Sequence, residues 1–307
     1  MFEYVVRRLL AFPFILLGMA SVIFCLLLLL PGDPARLMAG PGASAQVVES
    51  IRQQMGFDQP IPVQFVNYLS NLARGDLGRS FQSRRPVLSE ILILYPKTIL
   101  LALVAELIAV LVGVVLGILA ATRHASVNYA LMVLSVLSLS LPLFWLALLL
   151  QLLFAVDLRL LPPSGYKNGL DIYIILPAIT LAIPTAGYLA RVTNASLATF
   201  LNSDFVRTAR GKGLKSRRII FRHVLPNAVI PIASAAGTDL SRLFAGILIV
   251  EAIFGWPGIG KYAYDALSHR DIPALIGAVL FFGASVLLVN LAVDVFYGVV
   301  NPRIRYK

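Results

Sequence analysis

Charge is scarce in this sequence. Only 13% of its 307 residues are charged and 59% are hydrophobic, with a mean hydropathy of +0.85. A soluble domain is roughly 25% charged and about 45–50% apolar, and a water-soluble chain of this length could not hide so much apolar surface. Lipid must serve as its solvent. Cysteine is nearly absent: Cys25 stands alone in an apolar run, which rules out a disulfide within the chain. Histidine is rare, and His124, His223 and His269 sit far apart in different loops. No pair has metal-ligand spacing. With no histidine inside the apolar runs, a membrane-embedded hydrolase or transferase lacks a base or a metal pair.

Acidic residues are also few, 15 against 26 basic ones, for a net charge of +11. On a soluble protein that excess suggests nucleic acid. In a membrane protein it reports which loops face the cytoplasm, and no nucleic acid is needed to explain it.

What is present is a series of long apolar runs. Backbone groups in lipid must be satisfied within a segment, so such runs are read as helices, about 20 residues to a crossing. The runs are Leu9–Leu30, Thr98–Ala121, Tyr129–Val156, Tyr173–Ser196, Pro231–Ile253 and Pro273–Val300. No strand-like alternation occurs, so the expected class is all-α with six transmembrane helices. The first run ends in Leu30-Pro31-Gly32-Asp33-Pro34 without a small-residue cleavage site, and is read as a retained helix. Pro142 is placed to kink the third run. With the N-terminus inside, the inner segments collect Arg7, Arg8, Arg123, the basic stretch Arg191–Arg222, Arg303, Arg305 and Lys307 against only Glu3 and Asp204. Both termini are therefore expected in the cytoplasm.

The expected domains are an N-terminal helix (1–30), an extracytoplasmic segment (31–97), a five-helix core (98–300) and a cytoplasmic tail (301–307). In the outer segment, Gln46–Met55 and Pro62–Leu72 have apolar residues at helical spacing, punctuated by Gly and Pro clusters. It reads as a small folded cap: a lid over the helices, a docking surface for material from outside, or both. The inner connection at 197–230 is the other long one. It contains Asp204, Phe205, Arg207, Thr208, Ala209, Arg210, Gly211, Lys212, Gly213, Leu214 and Lys215, and continues to Pro226. The pattern predicts helix, glycine turn, helix. Asp204 is placed to cap the first helix, and the second, from about Ser216, is expected to end before Pro226. The bland reading is a basic loop on anionic headgroups. The compact punctuation favours a unit that fits a partner's cleft.

These residues resemble a known family, the permease subunits of dipeptide/oligopeptide-type ABC importers. Such permeases carry a cytoplasmic loop of the form E-A-A-x3-G-x9-I-x-L-P. Aligned on Gly213, this chain reads Arg207-Thr208-Ala209, three residues, Gly213, nine residues, then His223-Val224-Leu225-Pro226. Gly and Leu-Pro fit, whereas Arg207, Thr208 and His223 depart from the general form; the run Arg207-Thr208-Ala209-Arg210-x-Lys212-Gly213-Leu214 is similar to the peptide class. Further likeness lies in Pro31-Gly32-Asp33-Pro34, Gly75-Asp76-Leu77-Gly78-x-Ser80, Glu251-Ala252-Ile253-Phe254 with Pro257-Gly258-x-Gly260, Arg270-Asp271-x-Pro273, and Asn301-Pro302-Arg303-Ile304-Arg305-Tyr306. The resemblance implies a type I importer permease fold in the bacterial-type inner membrane. It implies a second permease of similar fold, two cytoplasmic ATPases that hold ATP and Mg, and an extracytoplasmic solute-binding protein. The 204–226 unit would couple to an ATPase. The chain itself would be no enzyme and would hold no cofactor; its cargo would be peptides or similar small solutes.

Two features need weighing beside this. Gly255-Trp256-Pro257-Gly258-Ile259-Gly260-Lys261 imitates a phosphate loop, but Tyr262 stands where Ser or Thr must meet Mg²⁺. It is read as a glycine-proline turn. Glu106, Asp239, Arg242, Glu251 and Asp294 fall within apolar runs, where charge is costly and faces a partner or a water-filled cavity. Asp239 and Arg242, three apart, share a helix face. They form a structural pair or sister-subunit contact, or else line a path for a zwitterionic solute. Glu251 belongs with them as a pathway or interface candidate; like Asp294 it lies near a helix end, within reach of the interface. A proton-driven carrier using these carboxylates is the alternative, and would show an inverted repeat; none is visible.

Overall fold

A computed structural model describes residues 2–29, 33–39 and 42–300. Pro31, Gly32 and the closing 301–307 segment lie outside the described residues. The described chain is all-helical, and its β structure is one isolated bridge between Arg79 and Pro86. Four helical stretches are long and apolar enough to cross a membrane: Val87–Thr122, Ile172–Leu201, Ser216–Phe254 and Ile272–Val295. A fifth is formed if Ala125–Ser140 and Leu143–Asp157 count as one broken span. The first helix, α1 (Phe2–Leu29), contains the shorter apolar stretch Leu9–Cys25.

The chain divides into two compact units. The first comprises Pro96–Lys261 and the end of the last helix from Leu288. Its elements are most of α5 (Val87–Thr122), α6 (Ala125–Ser140), α7 (Leu143–Gln151), α8 (Ile175–Leu201), α9 (Asp204–Gly211), α10 (Ser216–Ile219) and α11 (Leu225–Phe254). Helix α8 is its axis. Sixty-one per cent of its most apolar window is buried within the chain, against 28% for each of the other three long spans. Small residues allow this. Gly113 and Gly117 on α5 lie so close to α8 that a Cβ at Gly113 would stand 2.7 Å from the Ala186 carbonyl, and one at Gly117 would collide with Thr193. Close approach through glycines four apart is a recurring membrane packing device. Gly117→Val should cost about 1–3 kcal/mol by overpacking. It should therefore lower the unfolding midpoint of detergent-purified protein; an unchanged midpoint would contradict the contact.

Pro142 does more than kink the third run. The chain turns by 102° between α6 and α7, because Leu141 and Pro142 adopt extended backbone and Pro142 then serves as the cap of α7.

The second unit joins 2–95 to 262–287. It holds α1, α2 (Pro34–Ala39), α3 (Ala45–Met55), α4 (Ile61–Ala73) and parts of α12 (Ile259–Ser268) and α13 (Ile272–Val300). Both helices expected in the 31–97 segment are present. Ser44 caps α3 by accepting from the Val47 amide, and Gly56 ends it in the left-handed region. Phe24 of α1 packs on Phe65 and Tyr68 of α4, ring centroids 5.1 and 5.6 Å away. Burial pushes the Tyr68 phenol up to about 12, so it stays neutral at any working pH.

Candidate functional site: the basic elbow and the intramembrane charges

The elbow between α8 and α11 begins at Ser203, which holds the N-cap position of α9. Asp204, expected as the cap, is instead the first helical residue. Its carboxylate still suits the positive end of the helix dipole. Gly213 ends the first arm with φ +73°, a conformation that glycine adopts without steric cost. The second arm departs from expectation. From Ser216 the helix does not stop before Pro226 but runs on to Phe254 as a single stretch of 39 residues. A wide π turn over Ile220–Val224 makes this possible, and Pro226 lies in the first turn of α11, where its missing N–H is not needed.

The two faces of the elbow differ sharply. Val206 and Ala209 are buried with Leu197, Ile219, Val224, Ala228 and Ile232, and Val114, Ile118 and Ala121 of α5 pack on the same cluster. The elbow is thus seated on α5, α8 and α11 at once. The other face exposes Asp204, Phe205, Arg207, Thr208, Arg210, Gly211, Lys212, Gly213 and Lys215, while Leu214 is half-buried against the cluster. Arg207 lies 3.8 Å from Asp204, but both side chains are largely in solvent, so this pair adds little to stability. Exposed Arg217, Arg218 and Phe221 extend the outer face along the next turns. Val206 is the residue that sequence reasoning passed over; its i, i+3 relation to Ala209 was the available signal.

The intramembrane charges separate into two groups. Asp239 of α11 is buried, accepts a hydrogen bond from Thr185 of α8, and lies 3.9 Å from Arg242. Arg242 is 71% exposed and stands 5.7 Å from the Tyr188 ring. Glu106 of α5 interacts electrostatically with Asp239, and both of its carboxylate oxygens are buried without a hydrogen-bond partner. Three core helices thus bring two carboxylates, a guanidinium and a hydroxyl together.

Glu251 is elsewhere and differently employed. Rather than reaching the interface, its side chain is fully buried beneath the Gly255–Gly260 turn. Its Oε2 accepts from the amides of Gly260 (2.7 Å) and Lys261 (3.4 Å) at the start of α12. Thr98 accepts from the Ile259 amide, and the fully buried Trp256 donates to the Lys97 carbonyl at 3.1 Å. The amides that would cradle a phosphate in the loop's look-alike are thus already held by a carboxylate. No metal-binding cluster of His, Cys, Asp or Glu occurs among the described residues.

Comparison with known proteins gives this architecture its class. The fold matches that of an inward-facing methionine ABC transporter, MetNI, with a TM-score of 0.59 at 17% identity, over 69% of this chain and 96% of that one. Residues 113–306 match the binding-protein-dependent transport system inner membrane component family, and residues 1–102 match the N-terminal component of the same systems. The chain belongs to this family. It is 42% identical over 308 residues to the glutathione transport system permease protein GsiC of Salmonella choleraesuis, and 41% identical to that of Escherichia coli K12; the whole of each chain is covered.

The protein is accordingly a multi-pass inner-membrane permease subunit of an ABC importer of the dipeptide/oligopeptide type. ATP hydrolysis belongs to partner subunits. Nothing in these comparisons supports a proton-driven carrier.

Proposed function

We propose that this chain forms half of a translocation pathway for small peptides or peptide-like solutes, coupled to ATP through the 204–215 elbow. The observation that carries the proposal is the two-faced elbow: apolar residues seat it on three membrane helices, and a continuous basic face is left open. In this reading α1 completes a set of six spans, both termini are cytoplasmic, and the 31–97 segment is extracytoplasmic. A second permease of similar fold, two ATPase subunits holding ATP and Mg, and a solute-binding protein complete the importer. ATP binding closes the ATPase pair and turns the permeases outward; hydrolysis and product release return them inward. The glutathione permeases among its relatives support a peptide-like cargo.

Asp239 and Arg242 are the proposed pathway residues, with Glu106 beside them. A guanidinium left open on a membrane-crossing helix calls for water, a solute or a partner. Glu251 is assigned to holding the turn. The test is co-purification and uptake. Tagged protein co-expressed with its importer partners should bring down an ATPase, and deleting Arg207–Lys215 should remove that association. Solute uptake by this chain alone, without ATP, would refute the proposal.

A further inference from the structure

The segment 79–85 and the loop before α13 are joined by one buried carboxylate. Asp271 is 3% exposed. Its Oδ2 accepts from Ser80 Oγ at 2.5 Å and from the Gln82 amide at 3.2 Å. Its Oδ1 accepts from the amides of Phe81 at 3.0 Å and Ala274 at 3.3 Å. The turn is closed further by the Ser80 amide on the Arg85 carbonyl, the Arg84 amide on the Ser80 carbonyl, and the Arg79–Pro86 bridge. Asp271 therefore satisfies a tight turn and the first turn of α13 at once, and fixes one against the other.

Four arginines stand on this clamp: Arg79, Arg84 and Arg85 on the turn, and Arg270 next to Asp271. All four are exposed, and none forms an ion pair among the described residues. The one acidic side chain at the centre, Asp271, is committed to four hydrogen bonds. Two of the arginines are also held in left-handed backbone, Arg84 at φ +61° and Arg270 at φ +57°. Arg270 occupies the position after α12 where a helix usually ends on glycine. A β-carbon is unfavourable there, and glycine would serve the fold better at both positions. Strained residues of this kind gather where function requires the side chain.

We infer that these clamped arginines form a rigid cationic platform that docks an acidic face of the solute-binding protein. The inference rests on the importer reading above, which places both segments outside the membrane. The platform fits a folded partner better than lipid headgroups, because one buried side chain pins the backbone that carries the four arginines, which do not hang on a mobile tail.

The left-handed backbone supplies an unusual test, since Arg84→Gly and Arg270→Gly remove charge while relieving strain. The full importer, reconstituted in nanodiscs, is assayed for affinity toward its binding protein and for binding-protein-stimulated ATP hydrolysis. The double glycine variant should unfold no earlier than wild type and keep its basal hydrolysis. It should also bind the binding protein about tenfold more weakly at low salt, with the difference shrinking as salt screens the contact. Arg79→Glu with Arg85→Glu should weaken binding further. Wild-type affinity and stimulation in both variants would overturn the platform while leaving the importer intact. So would loss of binding to anionic-lipid vesicles with binding-protein affinity unchanged. Failure of the importer reading looks different: the wild-type complex itself would show no stimulation.

Discussion

Arg207→Glu combined with Arg210→Glu should abolish ATP-driven uptake while leaving the protein as stable as before. Both side chains are on the open face of α9, and the Arg207–Asp204 pair is too exposed to support the fold. What the substitutions destroy is a cationic surface offered to another molecule. Reversing charge at a desolvated contact costs about 2–5 kcal/mol, so ATPase association should fall at least about thirtyfold. Val206→Asp is the contrasting variant. Val206 is fully buried where α5, α8 and α11 meet, and a carboxylate there has no partner. That variant should lower the unfolding midpoint of the isolated chain before any ATPase is added. Both quantities are read by thermal unfolding in detergent and by pull-down. If the arginine variant keeps its ATPase, the elbow is not the coupling element.

Glu251→Ala should be among the most destabilising single changes in the core. It strands the buried amide of Gly260, takes the carboxylate from the partly buried amide of Lys261 and leaves a void under the Gly255–Gly260 turn. A buried donor left unsatisfied costs about 1–3 kcal/mol and the void adds to this, so a loss of roughly 2 kcal/mol or more is expected. The neighbouring glycine sharpens the test. A Cβ at Gly258 would collide with the Glu251 carboxylate, so Gly258→Ala should be harmful alone and much less so in combination with Glu251→Ala. A double-mutant cycle on the unfolding midpoint measures that coupling. Strict additivity would mean that the carboxylate does not hold the turn.

The elbow was legible because its signals are local: a glycine at the turn, basic residues at helical spacing, and apolar residues between them. Its errors were local too. Asp204 competed with the adjacent Ser203 for the cap position, and the helix end expected at Pro226 was lost to a π turn that absorbs the proline. The 102° break at Pro142 exceeded a kink because two consecutive residues left the helical region.

Long-range pairings left no such trace. Gly75–Ser80 and Arg270–Pro273 appear in sequence as unrelated strings, yet Ser80 and Asp271, 191 positions apart, form one clamp. Glu251 looked like an intramembrane charge in need of an outlet, because its acceptors' partners belong to a turn nine and ten residues further on. The approach of α5 to α8 was written in Gly113 and Gly117, but a pair of glycines shows its purpose only once the opposing helix is known.

The unbroken run from Ser216 to Phe254 has a mechanical consequence. At 1.5 Å per residue, about 35 Å of helix separates the elbow from Asp239, continuous through the π turn at Ile220–Val224 and past Pro231 inside α11. In the proposed coupling, a push at the elbow would travel along this helix as a stroke and not be lost in a flexible loop. The spare winding of the π turn and the backbone hydrogen bond that Pro231 cannot make are the places where such a rod takes up slack.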